Sequence, residues 1–401
     1  FLVRRVFNPL TAAVSLLAVA TNHMFLNYTY QAGSDMPFLL LGALSLFFLF
    51  RDEEWRDIVL SAIFGLLAFL TRYNGAFIPA GAMVYFAFAG GSGKERLQRA
   101  GLWLGVFLAA GLPWFIPNWI VAGSPVKNDN YVNVMMEFYA LGKGAQYENW
   151  TDALPKQFTG MGDIILYDPA YFLGHWVRNV FAHFFADMRE LVGWGAGVFV
   201  ILGMLLLTVI RPVKGRLLYF AFGFFYFLIL ALVFYNSRFS LFLLAMYIPL
   251  AVWPFTVKVH PPIMVYLFRG ALAMLVAIVA LNGVSSLRRV NAEIRVAPTF
   301  LKDMGRQLGT MEPDKSQKVM ARKPHIAYYA GLVPVMFPEK PETVEELVAH
   351  SREHGIRYIV YTGVEAQVRP SLQSSLLDLD GEKPGLKLVF FNQFGVVYRV
   401  E

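Results

Sequence analysis

The 401-residue sequence has no cysteine and few charged residues. Without cysteine the chain forms no disulfide and offers no thiolate ligand to a metal ion. Only 16% of its residues are charged, against about 25% in soluble domains, whereas 57% are hydrophobic. This composition excludes an ordinary soluble domain and predicts a membrane protein with several spans.

An excess of basic residues gives a net charge of +7. These residues lie mostly in short loops between apolar runs, where they indicate which side of a membrane is cytoplasmic. The sequence has no nucleic-acid-binding motif, so we expect membrane lipids, and no nucleic acid, among its partners.

Nine apolar runs predict an all-α multi-span membrane bundle in residues 1–284. Several runs are nearer to about 15 residues than to the ~20 that a straight crossing needs. The runs lie at 7–27, 36–51, 56–71, 75–90, 99–121, 192–211, 217–235, 239–257 and 264–284.

Basic residues in the loops predict the orientation of this bundle. If the runs alternate in direction, the loops that begin near Lys94 and Lys214 lie on one side, which the positive-inside rule makes cytoplasmic. Asp35 and the loop 122–191 then lie on the outer side. That loop is rich in aromatic residues, which is typical of short helices at a membrane interface.

Residues 285–401 predict a small α/β domain outside the membrane. Thr343 and Glu346 have the spacing of a capping box at the start of a helix, and Gly355 predicts its end. The strand-like segments are 333–337, 357–361, 386–391 and 395–400.

Asp35 stands at the outer end of an apolar run, in "SDMPFLLL". One interpretation is that Ser34 or Asp35 caps the helix begun by Pro37. The other makes Asp35 catalytic, as a general base or as a carboxylate that orients an acceptor in an outward-facing cavity.

Arg238 lies between two apolar runs on the outer side, where the positive-inside rule gives no reason for an arginine. Residues 191–291 contain no Asp or Glu, so its counter-ion has to come from another part of the fold or from a ligand. A guanidinium suits a phosphate, because it supplies donors in a fork. The alternative is a side chain that reaches lipid headgroups. Arg72 poses the same choice.

His183 and Asp187 are four residues apart, so one helical turn brings them to the same face. They are the candidates for a metal site, and a divalent metal ion is the candidate cofactor. The alternative is an ordinary contact between neighbouring turns of a helix.

Five stretches carry a resemblance to a known family. Taken in the order in which they occur along the chain, these stretches resemble the polytopic GT-C glycosyltransferases. Within that group they resemble the bacterial relatives of dolichyl-phosphate-mannose protein mannosyltransferases and lipid A aminoarabinose transferases. The stretches are "SDMPFLLLGALSLFFLFR", "LAFLTRYNGAFIPAGAMVYF", "LPWFIPNWIVAGSPV", "NSRFSLFLLAMYIPLA" and the tail from "KPHIAYYAG" to "RYIVY".

This resemblance implies a hexosyl- or pentosyltransferase that moves a sugar, with inversion, from a polyprenyl-phosphate donor to a protein, lipid or glycan acceptor. It implies a bacterial inner-membrane protein with an extracytoplasmic C-terminal domain. Arg238 and Arg72 would bind the donor phosphate. Asp35 matches the second of two carboxylates that such enzymes carry in outer loops, and we expect the first upstream of Phe1. Pro117 departs from the family pattern, in which an Arg is common at this place.

Two other functions use the same features. A transporter or flippase for lipid-linked substrates would also have an outward cavity and charges at membrane depth, and a non-catalytic scaffold would keep the fold. Transporters often contain inverted repeats, whereas this sequence shows no repeat. The long outer loop and the outer domain favour an enzyme.

Overall fold

The computed structural model describes most of the chain as two compact units, one within Phe1–Ala292 and one within Glu293–Glu401. The predicted boundary after residue 284 falls inside the last helix of the first unit. The structure describes all residues except 32, 52–53, 128–129, 141–157, 211–213, 258–261, 296–298, 339–340 and 367–368.

The described part of the first unit is helical. Its α-helices are α1 (Leu2–Val6), α2 (Pro9–Ala20), α3 (His23–Tyr30), α4 (Asp35–Leu49), α5 (Trp55–Thr71), α6 (Phe77–Phe88), α7 (Gly93–Ala122), α8 (Tyr131–Met135), α9 (Met161–Tyr167), α10 (Pro169–Ala186), α11 (Trp194–Ile210), α12 (Lys214–Leu230), α13 (Leu244–Val252) and α14 (Pro262–Arg295). Shorter helical segments are the 3-10 turns Tyr73–Ala76, Phe239–Leu243 and Trp253–Thr256, and the π segments Met136–Ala140 and Asp187–Leu191.

Every predicted apolar run overlaps one or more of these helices. The first run contains a break that the sequence prediction missed, because α2 ends at Ala20, α3 begins at His23, and the two helices meet at 60°. Asn22 stabilises the break. Its side chain accepts the N–H of Phe25 and donates to the carbonyl of Leu191 at 2.7 Å.

Three helices in the described residues are long and apolar enough to cross a membrane. They are α7, the segment Phe239–Thr256 and the apolar segment that begins at Ile263, the second residue of α14. The bent pair α2 and α3 makes a fourth if it counts as one span. Helix α4 has 15 residues, about 22 Å of length, against the ~30 Å of a hydrocarbon core. The count of nine spans stays a prediction.

Aromatic packing forms the core beneath the two turns that carry Arg72 and Arg238. Phe77, Tyr226 and Phe242 contact one another with ring centroids 4.8 to 5.4 Å apart. Such tilted and edge-to-face pairs stabilise a core beyond the burial of their surface. This cluster joins α6, α12 and the 3-10 turn Phe239–Leu243, so it fixes the scaffold on which the turns rest.

The predicted outer loop 122–191 contains α8, α9 and α10 together with both π segments. Two of the aromatic residues that suggested interfacial helices, Tyr147 and Trp150, lie outside the described residues. Helix α10 begins after Asp168, whose side chain caps it by accepting the N–H of Tyr171 at 3.0 Å.

The second unit contains the predicted α/β domain, whose small sheet is confirmed. Its five strands pair in the order β2-β1-β3-β5-β4. The pairs β1–β2 and β1–β3 are parallel, and the pairs β3–β5 and β4–β5 are antiparallel. Strand β1 was not predicted. The strands are β1 (Lys318–Ala321), β2 (Val333–Met336), β3 (Ile356–Thr362), β4 (Leu386–Asn392) and β5 (Gly395–Val400).

Helices cover both faces of this sheet. They are α15 (Thr299–Met311), α16 (His325–Ala330), α17 (Val344–Glu353), α18 (Gly363–Ala366) and α19 (Gln373–Leu376). Thr343 caps α17 as predicted, but the predicted capping box forms only in part. The Glu346 carboxylate accepts the N–H of Glu342 at 2.9 Å instead of the N–H of Thr343. Gly355 follows the helix with a φ of +63°, which favours glycine.

Candidate functional site

Asp35 is the first residue of α4, and its side chain is 5% exposed. Ser34, the residue before this helix, makes no side-chain cap hydrogen bond, whereas Asp35 lies in the first turn, where a carboxylate suits the helix dipole. Both carboxylate oxygens accept hydrogen bonds from arginines. Oδ1 accepts Nη1 of Arg72, and Oδ2 accepts Nε of Arg238 at 2.7 Å.

Arg72 follows α5 and leads into the 3-10 turn Tyr73–Ala76. The turn folds back closely onto the helix end, since a Cβ at Gly75 would lie 2.7 Å from the Cα of Phe69. Only glycine permits this approach. The turn therefore aims Arg72 at Asp35, with its side chain 15% exposed and its guanidinium 5.4 Å from the ring centroid of Phe239.

Arg238 lies in the turn between α12 and the 3-10 segment Phe239–Leu243. Tyr226 holds this turn from below, because its hydroxyl donates to the carbonyl of Phe239 at 2.6 Å. The Arg238 guanidinium lies 5.4 Å from the ring centroid of Tyr28. Its side chain is 39% exposed, so it is the most accessible member of the group.

Asp35, Arg72 and Arg238 form one group, which we call the Asp35 cluster. The three residues come from α4, the end of α5 and the turn after α12, and each had been singled out separately in the sequence. Two guanidiniums and one carboxylate leave a net charge of +1. Arg238 binds Asp35 through Nε, and a guanidinium also carries N–H donors on its two Nη atoms. A cluster with such donors and a net positive charge is suited to a phosphate.

A cavity of about 850 Å³ opens beside the Arg72 turn. Its walls include Tyr73 and Asn74, the two residues after Arg72, together with Lys127 and Tyr131. Aromatic faces and amide groups together suit a ligand with both apolar C–H surfaces and hydroxyls, such as a sugar.

Comparisons with known proteins concern the first 121 residues and the fold. Residues 1–121 match the sequence model of the family described as dolichyl-phosphate-mannose-protein mannosyltransferase. A comparison with curated protein sequences gives no significant match.

Two solved structures share the fold over 99% of this chain. One is the oligosaccharyltransferase of Archaeoglobus fulgidus, solved in complex with Zn and sulfate, with a TM-score of 0.53 and 12% identity. The other is ArnT from Cupriavidus metallidurans in the apo state, with a TM-score of 0.53 and 13% identity. The match covers 58% of the first protein and 80% of the second. The chain has the GT-C glycosyltransferase fold. The resemblance found in the sequence is thereby confirmed.

The candidate metal ligands lie on α10 and the π segment that follows it in this GT-C fold. Asp187 is 0% exposed, and its oxygens accept the hydroxyls of Tyr235 at 3.1 Å and Tyr247 at 3.0 Å. Burial raises the pKa of Asp187 to about 7, although hydrogen bonds from Ser240 and the two tyrosines oppose the shift. No group of three or more His, Cys, Asp or Glu in the described residues could hold a metal ion. A metal role stays a prediction.

Sequence reasoning missed a second polar group on the same face of α10. His175 Nε2 lies 3.0 Å from Glu137 Oε1, and the Asn179 amide donates to the same oxygen at 3.0 Å. His175 and Asn179 precede His183 and Asp187 at intervals of four residues, which puts one polar side chain per turn on a buried face. That spacing was the available signal. Burial lowers the pKa of His183, and the nearby Glu137 opposes that shift.

Proposed function

We propose that the protein is a membrane glycosyltransferase that moves a sugar from a polyprenyl-phosphate donor to a protein, lipid or glycan acceptor on the extracytoplasmic face. The observation that carries the proposal is the Asp35 cluster, a group with net positive charge, together with the cavity lined by Tyr73 and Asn74, the two residues that follow Arg72. The family match and the GT-C fold support this reaction class.

In this proposal Arg238 and Arg72 bind the donor phosphate. Arg238 is the more exposed of the two and binds Asp35 through Nε, which leaves its two Nη groups for the phosphate oxygens. A guanidinium that meets two oxygens at once fixes the orientation of the donor as well as its position.

The reaction is an inverting displacement at the anomeric carbon. The acceptor hydroxyl oxygen forms a bond to that carbon, the bond from carbon to phosphate oxygen breaks, and a base takes the hydroxyl proton. Negative charge grows on the departing polyprenyl phosphate, and a positioned arginine stabilises it as the bond breaks. A phosphate with such a partner needs no general acid.

Asp35 has a specific place in this scheme. Each of its oxygens already accepts a charge-assisted hydrogen bond, so we propose that it orients the two arginines. A carboxylate between two guanidiniums attracts both of them and offsets the repulsion between their like charges. A direct role as the base, which the sequence suggested, remains the alternative outcome of the experiments below.

The experiment measures binding of a polyprenyl phosphate to the purified protein. Arg238→Ala should weaken binding about tenfold or more, because a charge-assisted hydrogen bond contributes about 1.5 to 3 kcal/mol. Arg238→Lys should restore part of the affinity, since lysine keeps the charge and loses the fork.

Arg189→Ala is the matched control, because Arg189 is 60% exposed and pairs with Glu190. It should leave the affinity unchanged. A polyprenol without the phosphate should bind all variants equally. If Arg238→Ala binds the polyprenyl phosphate as the wild type does, the arginine instead contacts lipid headgroups and the proposed donor site is wrong.

A further inference from the structure

Besides the bond from Tyr226 to the carbonyl of Phe239, the turn that carries Arg238 has hydrogen bonds within itself. Asn236 accepts the N–H of Arg238 on Oδ1 at 3.0 Å and the N–H of Phe239 on its backbone oxygen at 2.9 Å. These bonds fix the shape of the turn. They do not determine where the turn sits relative to Asp35, so a second set of contacts has to do so.

Asp187 supplies such contacts from beneath the turn. Tyr235, three residues before Arg238, donates its hydroxyl to Oδ1 at 3.1 Å. Tyr247, in the helix that follows the Phe239–Leu243 segment, donates its hydroxyl to Oδ2 of the same carboxyl group at 3.0 Å. One buried carboxyl group therefore holds the chain on both sides of Arg238.

The position of Asp187 in the chain fits this role. It is the first residue of the π segment Asp187–Leu191, at the end of α10. Single π turns inside helices are uncommon and occur frequently at functional sites. Tyr247 of α13 donates to the other oxygen at 3.0 Å, so the carboxyl group is itself held in one orientation.

We propose that Asp187 is a positioning residue that sets the place of the Arg238 guanidinium and thereby the affinity for the donor phosphate. This inference rests on the proposed function of Arg238. Asp187 touches no substrate in this scheme and acts through the hydroxyls of Tyr235 and Tyr247.

The test removes the two hydroxyls and leaves the carboxyl group in place. Tyr235→Phe and Tyr247→Phe should each weaken binding of the polyprenyl phosphate by several-fold, and the double variant should approach the loss of about tenfold expected for Arg238→Ala. Tyr219→Phe is the matched control. Tyr219 is also buried, and its hydroxyl donates to the carbonyl of Ala245, near the opposite end of α12.

The Arg238→Ala background separates positioning from general stability. There, Tyr235→Phe should have no further effect on affinity, because the group that it positions is gone. A loss of equal size in both backgrounds would overturn the inference. If Arg238→Ala lowers affinity and Tyr235→Phe does not, the proposed function stands and the positioning role is wrong.

Hydrogen exchange gives a measurement that needs no ligand. The amides of residues 236–241 should exchange faster in Tyr235→Phe than in the wild type, and Tyr219→Phe should leave them unchanged. Unchanged exchange in Tyr235→Phe would overturn the inference even if donor binding proved unrelated to Arg238.

Discussion

Arg72 and Arg238 share one carboxylate, Asp35, which is 5% exposed. Bringing three charged groups out of water costs energy, and their attraction offsets that cost only when the geometry is good and other hydrogen bonds are made. The two arginines differ in this respect. Arg72 is largely buried, whereas the more exposed Arg238 gains less from its pairing and remains available for a ligand.

The sequence predicted these three residues one by one but not their contact. An arginine in a stretch without acidic residues requires a distant partner, which pointed to pairing across the fold or to a ligand. Which acid it meets depends on how α4, α5 and the turn after α12 pack, and no local pattern encodes this. The same limit hid the contact of Glu137 with His175.

The variant Asp35→Asn tests the shared carboxylate. Asparagine has one carbonyl oxygen, so it can hold one guanidinium and not both, and Arg72 loses its counter-ion in a buried place. We expect a lower melting temperature and a roughly tenfold weaker affinity for a polyprenyl phosphate. Thermal unfolding and lipid binding of the purified protein measure the two effects.

Asp57→Asn is the matched control at the other end of α5. Asp57 is 0% exposed and accepts a hydrogen bond from Arg51 Nε at 2.9 Å. This variant should also lower the melting temperature but leave the donor affinity unchanged. If Asp35→Asn keeps the donor affinity and loses sugar transfer, Asp35 is the base and not the residue that orients the arginines.

At the scale of elements, apolar composition located the helices well and their ends less well. A hydrophobic run shows that a helix is buried or spans a membrane, but it does not show a change of direction inside the run. The break at Asn22 depends on a contact with the carbonyl of Leu191, which is remote in sequence.

Helix packing in the first unit depends on glycines at points of close contact. A Cβ at Gly203 of α11 would lie 2.1 Å from the backbone oxygen of Leu250 in α13. Small residues at such points let two helices approach closely in a membrane. Gly203→Ala should therefore destabilise the protein by about 1 to 3 kcal/mol, because the two backbones have to separate.

Gly105→Ala makes the same change in α7, but here we expect the stability of the protein to stay equal or to rise. A Cβ at Gly105 would meet nothing within 4 Å, and alanine favours a helix over glycine by about 1 kcal/mol. Thermal unfolding should show a lower midpoint for Gly203→Ala and an equal or higher one for Gly105→Ala. Equal midpoints for the two variants would contradict the close contact between α11 and α13.

At the scale of the whole molecule, the absence of cysteine and the distribution of charge bear on topology. Basic residues cluster near Lys94 and Lys214, whereas the Asp35 cluster and the start of the 122–191 segment belong to the opposite side if the runs alternate. In the proposed reaction, the lipid-linked sugar has to meet both the Asp35 cluster and the acceptor on the same side of the membrane. The orientation therefore decides which acceptors are available.

Single cysteines introduced into this cysteine-free chain test that orientation without background labelling. Ser124→Cys and Ser375→Cys occupy the segment after α7 and an exposed position of the α/β domain, and Gln98→Cys lies in the basic region predicted to be cytoplasmic. A membrane-impermeant maleimide should label the first two in intact cells, and the third only after the cells are opened. The reverse labelling pattern would place the Asp35 cluster on the cytoplasmic side, where an extracytoplasmic acceptor cannot reach it.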